Sequence, residues 1–142
     1  MLIGSATMAV RSYVAVIDDD ESICRSLSRL LQGAGLSPIS YRSAEDFLDD
    51  RMRVPFDCLV VDVQLEGMSG VELNRRLAAC QIHTPVIYIT SHDDPKVRED
   101  ALDAGAIAFF RKTDAGDEIL AAIRKAIAAN RAVEPRRPAN AR

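Results

Sequence analysis

Residues 58–73 read CLVVDVQLEGMSGVEL. The first four are a continuous apolar run that stops on Asp62. A short segment with Gly67, Ser69 and Gly70 follows, and Val71, Leu73 and Leu77 then continue at helical spacing behind Ser69, a residue suited to capping. An apolar run without polar alternation fits a strand covered on both faces, as in a parallel sheet. The runs VAVI at 14–17 and VIYI at 86–89 have the same character, so β-segments are expected at 13–17, 37–41, 56–61, 85–90 and 106–110.

Helical patterns fill the gaps. Ile23, Leu27, Leu30 and Leu31 follow i, i+4, i+7, i+8, and Gly33 and Gly35 supply the stop. Ser43 with Asp46 resembles a capping box. Pro95 suits the first turn of a segment ending at Gly105. Asp114 is the expected cap of a last helix carrying Ile119, Leu120, Ile123 and Ile127. The segment after Pro95 offers only Val97, Leu102 and alanines, so its packing should be weak. Strand–helix alternation with short connections implies a flavodoxin-like three-layer α/β sandwich, a doubly wound five-stranded parallel sheet in the order 2-1-3-4-5.

At 142 residues the chain fits one domain, and 48% hydrophobic with 27% charged residues suits a packed core with a charged surface. No apolar run approaches the roughly 18 residues of a membrane span, and MLIGSATMAV has no signal-peptide character, so the cytosol is the expected compartment. Cys24, Cys58 and Cys80 are scattered, which argues against disulfides and zinc; Cys58 reads as a small core residue. The net charge of −3 is uneven: residues 131–142 hold four Arg and one Glu, a local +3, leaving −6 on residues 1–130. An acidic body does not suit nucleic-acid binding. The expected division is an extension at 1–11, a domain at 12–130 and a basic, Pro-containing tail at 131–142.

Ligands of such sheets gather beyond the carboxyl ends of the strands. There the sequence puts Asp18, Asp19, Asp20 and Glu21 after the first strand and Asp62 after the third. Thr90 and Ser91 end the fourth, and Arg111 and Lys112 follow the fifth. Carboxylates about 4–5 Å apart repel by on the order of 3–4 kcal/mol per pair at an effective dielectric near 20, so a counter-cation is expected. Hard oxygen ligands with room for water select Mg²⁺. Taken singly, an acidic run after a strand is an ordinary helix N-terminus; the joint placement at one edge is what points to a site.

The segments VAVIDDDESICRSL, CLVVDVQLEGMSGVEL, PVIYITSHDD and GAIAFFRK resemble a two-component response-regulator receiver domain, especially receivers that regulate nitrogen-fixation genes. The likeness covers roughly residues 12–130. It implies a phospho-switch rather than a turnover enzyme, with Asp62 accepting a phosphoryl group from a sensor histidine kinase or phosphotransfer protein. It further implies Asp18 and Asp19 as the acidic Mg²⁺ pair, with the Gln64 backbone carbonyl a further ligand. Thr90 would hydrogen-bond the phosphoryl group, Lys112 would pair with it, and Phe109 would be the switch aromatic. Gln64 and His92 would flank the hydrolytic water. The output would leave through the face of the fourth helix, fifth strand and fifth helix, by self-association or a target protein. The sequence departs from the family at Glu66, commonly Pro, and at Thr113, where the family commonly has a cis proline; a cis non-proline bond costs about 2.5–4 kcal/mol, so a trans bond is expected.

Three alternatives compete. Asp18-Asp19-Asp20-Glu21-Ser22 approaches the signature of haloacid-dehalogenase-like phosphatases, with Asp18 as nucleophile and Asp20 as acid/base, but this leaves Asp62 without a role. An FMN binder conflicts with the acidic first loop. A receiver-fold interaction module that is never phosphorylated is motivated by Thr113.

Overall fold

The structure is a computed structural model and describes residues 11–133 apart from 52 and 93. Most of the N-terminal extension, and the tail from 134, lie outside the described residues. The strands are β1 (Tyr13–Ile17), β2 (Ser37–Tyr41), β3 (Cys58–Asp62), β4 (Val86–Thr90) and β5 (Ala108–Arg111). The helices are α1 (Glu21–Gly33), α2 (Ala44–Asp49), α3 (Gly70–Ala79), α4 (Pro95–Asp103) and α5 (Gly116–Val133). All strand pairs are parallel and the order is β2-β1-β3-β4-β5, as the alternation implied.

The continuous apolar runs sit where two-sided burial requires them. Every residue of β3 and β4 is buried. Side chains alternate across the sheet, so the inner strands β1, β3 and β4 feed two cores. Ala15, Ile17, Leu59, Val61, Val86 and Tyr88 pack with Phe47 of α2, Leu73 and Leu77 of α3 and Ala101 of α4. Val14, Val16, Cys58, Val60, Ile87 and Ile89 pack with Leu27 and Leu31 of α1 and Ile119 and Ile123 of α5. α4 is held least firmly: Ala101 is its buried residue, and Leu102 is 45% exposed.

Three strands begin later than the expected segments, β4 by one residue and β3 and β5 by two. β3 starts at Cys58 because the Tyr13 N–H is taken by the Asp57 carboxylate (2.9 Å) instead of a strand carbonyl. β5 starts at Ala108 because Gly105 (φ +101°) and Ala106 complete the end of α4, with Ala106 N–H on the Ala101 carbonyl. The caps expected at Ser43 and Ser69 form, accepting from the N–H groups of Asp46 and Glu72. Pro95 opens α4 behind an Asp94 cap. Asp114 does not cap α5. Its carboxylate turns back onto the Arg111 N–H (2.8 Å) and guanidinium, since the charge at the end of β5 is the nearer partner.

α1, α3 and α4 end alike. The residue two beyond each helix end takes a left-handed backbone, and the residue after it donates to a carbonyl five positions back: Leu36 to Leu31, Ile82 to Leu77, Ala106 to Ala101. This is the Schellman closure, and glycine normally fills the left-handed position. Gly35 (φ +84°) and Gly105 do so, but in α3 the position is held by Gln81 at φ +63°. Left-handed backbone costs a residue with a Cβ about 1–2 kcal/mol, partly offset by the freedom glycine has when unfolded. Gln81→Gly is therefore expected to stabilise the fold by about 0.5–1 kcal/mol. Urea unfolding with an unchanged m-value checks it.

Candidate functional site

The site lies at the carboxyl edge of β1, β3, β4 and β5. β1 delivers Asp18, whose residue is fully buried. Its Oδ1 accepts the Asp20 N–H at 2.8 Å, which tightens the turn into α1. Asp20 caps that helix by accepting the Ser22 N–H at 3.0 Å. Asp19, between them, is exposed. β3 delivers Asp62, only 4% exposed, with Oδ1 accepting the Gln64 N–H at 2.9 Å.

Lys112 closes the arrangement. Its own N–H donates to the Thr90 carbonyl at 2.7 Å, carrying the sheet one residue past β5. Its ammonium then donates to Asp18 Oδ1 (3.1 Å) and Asp62 Oδ2 (3.0 Å). Burial pushes the Asp18 carboxyl above its ordinary range, against the lowering effect of Lys112 and the Asp20 N–H. Burial alone would lower Lys112, but hydrogen bonds and charge from Asp18 and Asp62 outweigh it and raise the ammonium. Among the described residues the structure has no cis peptide bond, so Lys112–Thr113 is trans and still brings the ammonium between both carboxylates.

One oxygen stands apart. Asp18 Oδ2 is buried and makes no hydrogen bond; Lys112 Nζ lies 2.9 Å away but outside hydrogen-bond alignment. Carboxylate oxygens of Asp18, Asp19 and Asp62 fall within 4.8 Å of one another. A buried carboxylate oxygen whose partner is an ammonium in ion-pair contact alone, within a cluster of hard donors, fits a divalent cation of the Mg²⁺ type.

Thr90 ends β4 fully buried. Its hydroxyl lies 2.9 Å from the His92 carbonyl and 3.2 Å from Gln64 Oε1, and it accepts the His92 N–H at 3.1 Å. His92 thus meets Thr90 through its backbone, while its side chain is exposed. Phe109 pairs with Tyr88 across β4 and β5 and is 8% exposed, its ring covered by the Arg98 guanidinium 4.8 Å from the centroid. The spacing reasoning missed several supports: Arg98, the Cys24 thiol on the Asp18 carbonyl (3.3 Å), and the Tyr88 hydroxyl on the Gly70 carbonyl (2.8 Å). The last helps seat α3 so close to the site that a Cβ at Gly70 would stand 2.8 Å from the Asp62 carbonyl oxygen. A continuous apolar run hides Tyr88, and a contact between separate elements leaves Arg98 no local signal.

Fold and edge chemistry together define a class of signalling domain, not a turnover enzyme: the chain belongs to the response regulator receiver domain family, which it matches over residues 14–124. It is 36% identical over 120 residues to nodulation protein W of Bradyrhizobium diazoefficiens, covering 84% of this chain and 53% of that protein. To the transcriptional regulatory protein FixJ of Azorhizobium caulinodans it is 37% identical over 129 residues, covering 91% and 60%. The crystal structure of FixJ-N superposes with a TM-score of 0.77 at 35% identity, covering 84% of this chain and 96% of that one. The chain spans about half the length of the curated relatives it matches. No helix among the described residues is long and apolar enough to cross a membrane. Membership removes the phosphatase alternative, and Asp20, its required acid/base, caps α1.

The raised Asp18 carboxyl gives a signed expectation. An acid whose folded pKa exceeds its unfolded value loses stability as pH rises between the two. Asp18→Asn imitates the protonated form, so at pH 7 without Mg²⁺ it should raise Tm by a few °C, on the order of 1 kcal/mol. The gain should shrink as pH falls toward the unfolded carboxylate range. Thermal melts across pH check the sign. With millimolar Mg²⁺ the order should reverse, because wild type gains stability by binding and the Asp18→Asn, Asp19→Asn double variant gains little.

Proposed function

We propose that the chain is the phosphoacceptor of a two-component relay and that Asp62 takes a phosphoryl group from a histidine kinase or phosphotransfer protein. The observation that carries this reading is Asp62 itself: a nearly buried carboxylate with one oxygen fixed by the Gln64 N–H and the other on an ammonium. Asp62 Oδ2 attacks phosphorus in line, the P–O bond forms as the P–N bond breaks, and the electron pair leaves with the histidine nitrogen. Lys112 turns from a carboxylate partner into a point charge on the arriving oxygens. Asp18, Asp19, Asp62 and the Gln64 carbonyl would hold Mg²⁺, which when bound supplies Lewis-acid neutralisation of the transferring group. Gln64 and His92 flank the water that later hydrolyses the acyl phosphate. The receiver unit starts near residue 12 and runs past the expected end at 130 to the close of α5 at Val133, with Arg131 paired to Asp57, and the cytosol is the proposed compartment.

Incubation with acetyl phosphate and Mg²⁺ tests this by intact-protein mass spectrometry. Wild type should gain one phosphoryl group in a Mg²⁺-dependent manner, and Asp62→Asn should gain none. A label on any other residue, or none at all, overturns the assignment. The second outcome is the one the unphosphorylated interaction module requires.

The output follows from Thr90 and Phe109. To reach a phosphoryl oxygen, the Thr90 hydroxyl leaves the His92 carbonyl and Gln64, and the Phe109 ring turns into the space released. α4 resists least, and the face of α4, β5 and α5 changes for self-association or a target protein. One or two charge-assisted hydrogen bonds supply about 2–4 kcal/mol, enough to invert a modest bias but not a 99:1 one. With beryllofluoride, a phosphoryl mimic, amide exchange should change across residues 92–120. Thr90→Ala should accept phosphate yet lose most of that distant change, and a full response in this variant would remove Thr90 from the mechanism.

A further inference from the structure

The seven residues after Asp62 carry the Gln64 carbonyl proposed above as a metal ligand; Val63 and Leu65 anchor the first half in the core, and the exposed turn at Glu66 and Gly67 has no apolar anchor of its own. There is no proline from Val63 to Ser69, and Gly67 stands in the middle at φ +74°. The segment is held at its start, where Gln64 N–H meets Asp62 Oδ1 and Val63 N–H meets the Ile89 carbonyl (3.0 Å). It is held again at its end by the Ser69 cap. Between these points Leu65 is buried in the core and Met68 packs against it, while Glu66 and Gly67 are exposed and have no such anchor. Across from them, in the first turn of α2, Glu45 sends its carboxylate over and Oε2 accepts the Met68 N–H at 2.9 Å, 23 residues away in sequence. The approach depends on glycine, since a Cβ at position 67 would stand 2.7 Å from that oxygen.

We infer that Glu45 is a positioning residue for the acceptor segment: its hydrogen bond to Met68 fixes the middle of residues 63–69, and through it the placement of the Gln64 carbonyl beside Asp62. The inference rests on the proposed Mg²⁺-dependent acceptor role of Asp62. The Met68 N–H holds the Glu45 carboxyl below its usual range, so the ionised acceptor is present throughout neutral pH. The Glu45 carboxylate also meets its own N–H in the first turn of α2, but the bond to Met68 ties that helix to the chain leaving β3. Groups that orient a metal ligand from outside the coordination shell typically change affinity by about 10–100-fold. Glu45 acts one bond further out and from an exposed position, so a smaller factor is expected.

Glu45→Ala should weaken Mg²⁺ binding about three- to tenfold by isothermal titration calorimetry, and slow labelling by acetyl phosphate at fixed Mg²⁺ by a similar factor. Glu45→Gln keeps an acceptor oxygen and should stay within about twofold of wild type. Exchange of the Met68 amide, read by NMR in the same samples, should speed up in the alanine variant alone. If that amide loses protection while Mg²⁺ affinity and labelling stay within twofold of wild type, Glu45 does not position the site. Equal loss in both variants ties the effect to charge or helix stability and likewise overturns it. If wild type neither binds Mg²⁺ nor is labelled, the acceptor reading has failed, and the Met68 amide alone reports whether the tether exists.

Discussion

One ammonium shared by two buried carboxylates sets the terms for the rest of the structure. Asp18 and Asp62 stand on adjacent strands with almost no access to water, and without Lys112 their mutual repulsion would act in a medium that screens poorly. The lysine reaches them because β5 lies beside β4 with Thr90 opposite Arg111, which sends residue 112 back over the edge. A slip of one residue would exchange the two faces of β5 and point the neighbouring side chain at the acids instead. Strand order and register are thus fixed by charge at the edge as well as by apolar packing beneath it.

Asp18, Asp19 and Asp20 show how a short acidic run carries two meanings at once. Asp20 caps α1, the ordinary use of an acid at a helix start. Asp18 turns inward and keeps an oxygen without a hydrogen bond, which is not an ordinary use. From the sequence these are competing interpretations; in three dimensions both hold, because the chain turns between them, with Asp20 N–H folded back on Asp18 Oδ1 as Asp20 opens the helix.

The parallel sheet was legible because β1, β3 and β4 are buried on both faces, and two-sided burial leaves an unbroken apolar run. The site was legible because its acids, hydroxyl and lysine all follow strand ends, where topology alone brings them together. What escaped depended on competition between partners or on contacts between separate elements. Asp114 had a nearer partner in Arg111 than the helix behind it. Gln81 accepts a left-handed backbone that glycine would normally hold. Glu45 and Met68 meet only because α2 and α3 share one face of the sheet, and Arg98 meets Phe109 only through the packing of α4 on β5.

The alternation of side chains across the sheet has a mechanical consequence. Tyr88 of β4 and Phe109 of β5 project into the layer shared with α2, α3 and α4, and by strand parity Thr90 lies on the side of Tyr88. Ile87 and Ile89 project into the other layer, which rests on the apolar stripes of α1 and α5. In the switch proposed above, a displacement that begins at Thr90 would push first on one side of the sheet, where α4 is the loosest plate. In the opposite layer α1 would be the clamp that acts as an anvil, while α5, which belongs to the proposed output face, would share in the change. An event confined to a few atoms at one edge would thereby acquire a direction: outward through α4, while the α1 side keeps the geometry around Asp62 from being lost in the same movement.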